Sequence, residues 1–181
     1  MDERHAARMA RWRVPLGLGL GVLYLVFAQP SAACLEAGSA IALLGLGLRA
    51  VAAGYLEKNE RLATEGPYAY TRNPLYLGSL LIGIGVTVAG RTWFLGAVFL
   101  LFFIFVYFPV IQREAEELRR RFGRAYEQYA EQVPLFFPTA RHKKPAEQRF
   151  RWSRYVRNRE YEAALGYVAA VLFLAIKIKL R

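Results

Sequence analysis

Residues 66–78, GPYAYTRNPLYLG, set three tyrosines, one fixed positive charge and the start of a helix where a polar segment gives way to a long apolar run. Gly66-Pro67 is a turn signal, and Pro74 can open a helix without losing a needed N–H. The mouth of such a helix offers backbone N–H groups and the positive end of a dipole, which suit a carboxylate or phosphate. The faces of Tyr68 and Tyr70 can hold a cation. A second set, Glu114, Phe122-Gly123, Tyr126, Tyr129 and Val133-Pro134, is strung along a charge-dense segment farther on. A carboxylate at the membrane surface pairs well with an ammonium group, and a helix mouth with a carboxylate. No Ser, His or Cys constellation supplies the nucleophile a hydrolase needs. Tyr and Arg beside an apolar run are also what an ordinary membrane-interface belt contains, so these residues need a scaffold that brings the two sets together.

Composition bounds that scaffold. The chain has 181 residues, 55% hydrophobic, with mean hydropathy +0.18 and a formal net charge of +11, which describes one membrane-embedded domain with basic surfaces. The charge gathers outside the apolar runs, as the positive-inside rule requires, so nucleic acid is not an expected partner. Cys34 is the only cysteine, which excludes an intrachain disulfide and a cysteine-rich metal site. His5 and His142 both lie in polar ends, so no histidine-built metal centre is expected.

The apolar runs then fall in order. Residues 1–13 carry four arginines and Trp12 and read as a cytosolic tail with an interface anchor. Residues 14–35 are uncharged, with Gln29-Pro30 marking a helix end or turn. A second helix follows and emerges near Arg49, either an intramembrane functional charge or, as expected here, a side chain that snorkels to the interface. Gly17, Gly19, Gly21, Gly45 and Gly47 allow helices to pack closely. Residues 75–90 and 92–111 should form a hairpin with only Arg91 between them. Of its aromatics, Phe94, Phe99, Phe102, Phe103, Phe105, Tyr107 and Phe108, most should face lipid. Residues 112–132 read as one charged helix leaving the membrane, with Glu117 and Arg121 at i, i+4 spacing and Glu114, Leu118, Arg121 and Ala125 on one side. Residues 139–160 form a basic connection with Trp152 and Tyr155, suited to anionic lipid headgroups. Residues 163–176 are a short fifth run ending in Lys177, Lys179 and Arg181. The expectation is an all-α polytopic membrane bundle of about five transmembrane helices, single-domain over 1–181, with an N-terminus in the cytosol and a C-terminus outside. The 57–74 and 112–160 connections then share the cytosolic side, in the cytoplasmic membrane of a prokaryote.

The two sets also resemble the signature of the isoprenylcysteine carboxyl methyltransferase and phospholipid methyltransferase superfamily of integral membrane enzymes. Its members carry G-x-Y-x-x-x-R-H-P-x-Y-x-G, matched by Gly66, Tyr68, Arg72, Pro74, Tyr76 and Gly78, and then a Glu, an F-G and a Y-x-x-Y-x-x-x-V-P run. The resemblance covers about residues 57–138. It implies S-adenosylmethionine as cofactor, with a lipophilic methyl acceptor and membrane lipids as partners; the acceptor is a prenylcysteine carboxylate, or alternatively a phospholipid ethanolamine or a small thiol. It implies that the backbone of Glu60, Arg61, Leu62 and Ala63, the ring of Tyr68, Arg72, and the Asn73-Pro74-Leu75-Tyr76 corner surround the cofactor, with Glu114 on its ammonium group. In-line methyl transfer from a sulfonium asks chiefly for alignment and exclusion of water. Two positions depart from the pattern. Asn73 stands where His is usual, and Val110 stands where isoprenylcysteine members carry a substrate-binding Arg, with Arg113 adjacent but facing elsewhere. A carboxylate or thiolate acceptor is nucleophilic near neutral pH, whereas a lipid ammonium must first lose a proton, so the loss of His leans toward the former. A non-catalytic scaffold that binds anionic lipid is the alternative of another class.

Overall fold

The computed structural model describes residues 3–58, 60–139 and 149–180. His142 and residues 140–148 of the basic connection expected over 139–160 lie outside the described residues. Among the described residues the chain is helical throughout, without strands. Helix α1, Glu3–Phe27, continues through Pro15 and takes the expected tail into the helix itself. The chain breaks at 28–31, where Gln29 N–H donates to Gly90 O at 2.8 Å, and Ser31 caps α2, Ala32–Tyr55. Helix α3, Pro74–Gly90, runs back along α2.

These two helices meet backbone to backbone. A Cβ on Gly45 would stand 2.6 Å from Gly78 O, and one on Gly85 would stand 2.6 Å from Ala42 N. Small residues seven apart, Gly38 and Gly45 on α2 and Gly78 and Gly85 on α3, permit this approach, the device that replaces the hydrophobic effect between helices in lipid. Of the glycines singled out in the sequence, Gly45 alone belongs to the seam. At Gly19, Gly21 and Gly47 an added methyl would meet nothing within 4 Å, and at Gly17 it would meet only the edge of Phe102 at 3.8 Å.

Arg91 turns the α3 hairpin in the left-handed conformation (φ 49°). Helices α4, Trp93–Phe102, and α5, Phe108–Phe122, form one 30-residue helix interrupted by a π-helical turn at Phe103–Tyr107. Pro109 has no N–H for the Phe105 carbonyl, and its ring would press on that group, so the chain widens just upstream. The expected single helix over 112–132 ends early: Gly123 (φ 52°) breaks it, and α6, Arg124–Gln132, leaves in a new direction. Ala125 therefore shares no face with Glu114, and Glu117 forms an i, i+4 pair with Arg113, at 2.8 Å.

After α7, Trp152–Arg157, helix α8, Tyr161–Lys179, is longer than the expected run. Lys177 Nζ donates to Leu25 O and Val26 O at 2.8 and 2.9 Å, so one of the charges at the end of the chain caps the end of α1, where a cation is favoured. Helix α2, the 30-residue helix and α8 are long and apolar enough to cross a membrane, while Pro15–Phe27 and α3 are shorter apolar helices. At 1.5 Å per residue, α3 covers about 25 Å of a hydrocarbon core of about 30 Å. Leu18, Leu44, Leu101, Leu165 and Leu172 point outward, an arrangement that lipid solvates and water would not. The ends of α2 and α5 and the start of α3 lie together at one end of the bundle, around a cavity.

Candidate functional site

That cavity, of about 500 Å³, opens where α2 ends and α3 begins, a size typical of small-molecule sites. Its first wall comes from Leu56, Glu57, Lys58, Arg61, Leu62 and Ala63, and from Tyr68 in the Gly66–Ala69 turn. Gly66 adopts φ 58°, and a Cβ there would lie 2.7 Å from the Tyr55 ring, so only glycine fits the turn. The turn drops Tyr68 against Ala52 and Ala63, where the side chain is buried. Burial pushes its phenol pKa up, the Glu160 and Glu114 carboxylates push it further, and Arg49 opposes them. Tyr68 therefore stays a neutral phenol throughout the physiological range.

The two residue sets distant in sequence are sewn together here. Tyr129 Oη donates to Tyr68 O at 2.7 Å, Thr71 Oγ1 to Phe136 O at 2.7 Å, and Asn73 Nδ2 to Leu135 O at 2.9 Å. Arg72 N–H donates to Pro134 O at 3.0 Å, and its Nη1 donates to Tyr126 Oη at 3.0 Å. Tyr126 is almost wholly buried and anchors a cluster with Tyr129 and Val133. At the open edge, Tyr76 Oη donates to Glu114 Oε1 at 2.7 Å. Arg61, Leu62, Ala63, Tyr68, Arg72, Asn73, Pro74, Leu75, Tyr76 and Glu114 all line the cavity. Glu60 is the exception: its carboxylate turns outward to Arg157 at 3.3 Å, with both side chains more than half exposed.

The structure adds residues that neither motif contains. Arg49, Ser79, Tyr107 and Glu160 share the lining. Arg49 does not snorkel; it forms a bidentate pair with Glu160, Nε to Oε2 and Nη2 to Oε1 both at 2.9 Å. An arginine inside an apolar run was the available signal, but its acid lies 111 residues away. Tyr107, delivered by the π turn, stacks on Phe103 at 5.2 Å and meets the edge of Tyr76 at 5.7 Å. Phe105 and Phe108 face outward as expected, whereas Phe103 is buried. Val110 is also buried, and Arg113 is engaged with Glu117. Among the described residues no three His, Cys, Asp or Glu side chains gather as metal ligands.

Chemically the cavity presents the Glu114 carboxylate at its edge and the Arg72 guanidinium, with phenols and aliphatic side chains in the same lining. The Arg72 Nε is buried and has no hydrogen-bond partner, an unfilled donor of the kind that folded proteins keep for a ligand or a water. This arrangement can hold and orient a zwitterion. Residues 35–125 match the family described as phospholipid methyltransferase. The chain is 32% identical over 136 residues to the cobalt-zinc-cadmium resistance protein CzcN of Cupriavidus metallidurans, covering 74% of this chain and 55% of that protein. It is 33% identical over 144 residues to the nickel-cobalt-cadmium resistance protein NccN of Alcaligenes xylosoxydans xylosoxydans, covering 72% of this chain and 64% of that one. The chain thus spans less than two thirds of the length of either relative. No solved structure matches it.

Proposed function

This chain belongs to the phospholipid methyltransferase family of membrane proteins, and from that premise we propose that it transfers a methyl group from S-adenosylmethionine to a lipophilic acceptor at the cytosolic face of the membrane. The observation that carries the reading is the Tyr76–Glu114 hydrogen bond, which joins the two residue sets at the edge of the cavity. When bound, S-adenosylmethionine supplies an electrophilic methyl group on a sulfonium, and the S–CH3 bond breaks as the acceptor–CH3 bond forms. Glu114, oriented by Tyr76, takes an ammonium group. Arg72, held by Tyr126 and with Nε unfilled, takes a carboxylate. Leu62 and Leu118 offer apolar surface for a purine, and the neutral Tyr68 phenol puts a polarizable face beside a cation without competing as a nucleophile.

The acceptor side is aromatic. Tyr107 and Phe103 lead from the lipid-facing helix to Tyr76, so an acyl or prenyl chain can stay in the bilayer while its reactive group reaches the cavity. Asn73 spends its amide on Leu135 O and takes up no proton, which favours an acceptor that is already anionic, such as a carboxylate or thiolate, over the lipid amine of a phospholipid. Protein in lipid nanodiscs, supplied with methyl-labelled S-adenosylmethionine and either a prenylcysteine, a long-chain thiol or phosphatidylethanolamine, should move label into the organic phase. The carboxylate or thiol is expected to be labelled faster than the amine. Label that reaches none of the acceptors would count against the activity.

A further inference from the structure

The segment 149–160 lies beyond the residues matched to the family, yet it closes over the end of α2. Arg151 N–H donates to Gly54 O at 3.0 Å, and Asn158 Nδ2 donates to Ala53 O at 3.1 Å and Leu56 O at 3.2 Å. The segment thereby supplies partners for carbonyls that a helix end leaves unpaired. Arg154 pairs with Glu57, the first residue of the cavity wall after α2 and its cap. From this platform Glu160 reaches Arg49, and Arg49 uses its remaining donors on α3: Nη1 donates to Leu75 O at 3.2 Å and to Ser79 Oγ at 2.6 Å. Leu75 belongs to the Asn73-Pro74-Leu75-Tyr76 corner, and Tyr76 holds Glu114.

We propose that Glu160 acts through Arg49 as a positioning residue, fixing the first turn of α3 so that Tyr76 and Glu114 meet at the cavity edge. Burial favours this role over simple charge neutralisation. Glu160 is 9% exposed and Arg49 21%, and a buried pair gains little net stability over apolar side chains of similar size. A guanidinium can grip a carboxylate in bidentate fashion and still donate to two groups on another helix; an ammonium cannot match that planar fork. The proposal rests on the cofactor reading above, and its test separates the two.

The probe is S-adenosylhomocysteine, measured by calorimetry on detergent-purified full chains alongside their melting temperatures. Arg49→Lys keeps the charge facing Glu160 but loses the fork, and should weaken binding about tenfold with little change in melting temperature. The double variant Arg49→Met with Glu160→Met removes both charges, leaving none stranded. It should fold, and it should show the same or a greater loss. Glu160→Asp should recover part of the affinity that Glu160→Gln loses. Wild-type affinity in Arg49→Lys and in the double variant overturns the positioning role, as does a double variant that cannot fold beside an Arg49→Lys that binds normally. Failure of the wild-type chain to bind removes the cofactor reading itself.

Discussion

Glu114→Gln is expected to weaken S-adenosylhomocysteine binding by roughly ten- to a hundredfold, the equivalent of about 1.5 to 3 kcal/mol for a charge-assisted hydrogen bond. The chain should remain folded, because the Glu114 side chain is exposed at the cavity edge and its hydrogen bond from Tyr76 can be kept by an amide oxygen. What is lost is the negative charge opposite an ammonium group. Glu116→Gln is the matched control, two residues along the same exposed helix and outside the cavity lining, and should be nearly silent. Tyr68→Ala should lower affinity as well, through loss of a buried wall. If these residues were only a membrane-interface belt, all three changes would leave binding alike. Equal losses at 114 and 116 would place the cofactor elsewhere.

Gly45→Leu should destabilise the bundle by about 3 kcal/mol or more, at the upper end of overpacking effects. Its Cβ would stand 2.6 Å from Gly78 O and 2.9 Å from Ile82 N, and these are backbone atoms that cannot swing aside. Separating α2 from α3 also pulls Arg49 away from Leu75 and Ser79, so the cavity should open together with the seam. Gly47→Leu, on the same helix with nothing within 4 Å of its Cβ position, should be neutral or slightly stabilising, since leucine is the better helix former. Thermal unfolding in detergent reads both variants. A similar melting temperature for the two would mean that α2 and α3 do not meet in a tight seam.

The contrast between Gly45 and Gly47 also marks where sequence reasoning stops. Composition and the uncharged runs make the helical bundle legible, and the single Arg91 between two runs locates the α3 hairpin, because these depend on local pattern and on the bilayer. Which glycines pack depends on which face each helix turns inward, so all five look equivalent in the sequence. The break at Gly123 is visible as a motif residue but not as a corner, since charged residues on both sides are good helix formers and only the positive φ ends the helix. The site is legible as two motifs. Its third component is not: Glu160 belongs to no motif and is singled out only when the fold sets it against Arg49. Asn73 is legible in the sequence as the residue that stands where His is usual; that its side-chain amide also ties the two motifs together is visible only in the fold.

The central claim is that these motifs build a cavity for S-adenosylmethionine. Calorimetric titration of the purified wild-type chain with S-adenosylhomocysteine tests it most directly. Saturable one-site binding, with affinity reduced in Glu114→Gln and kept in Glu116→Gln, is the predicted result. The absence of any binding up to about 1 mM ligand, where even a weak site of about −4 kcal/mol would be half filled, would contradict it.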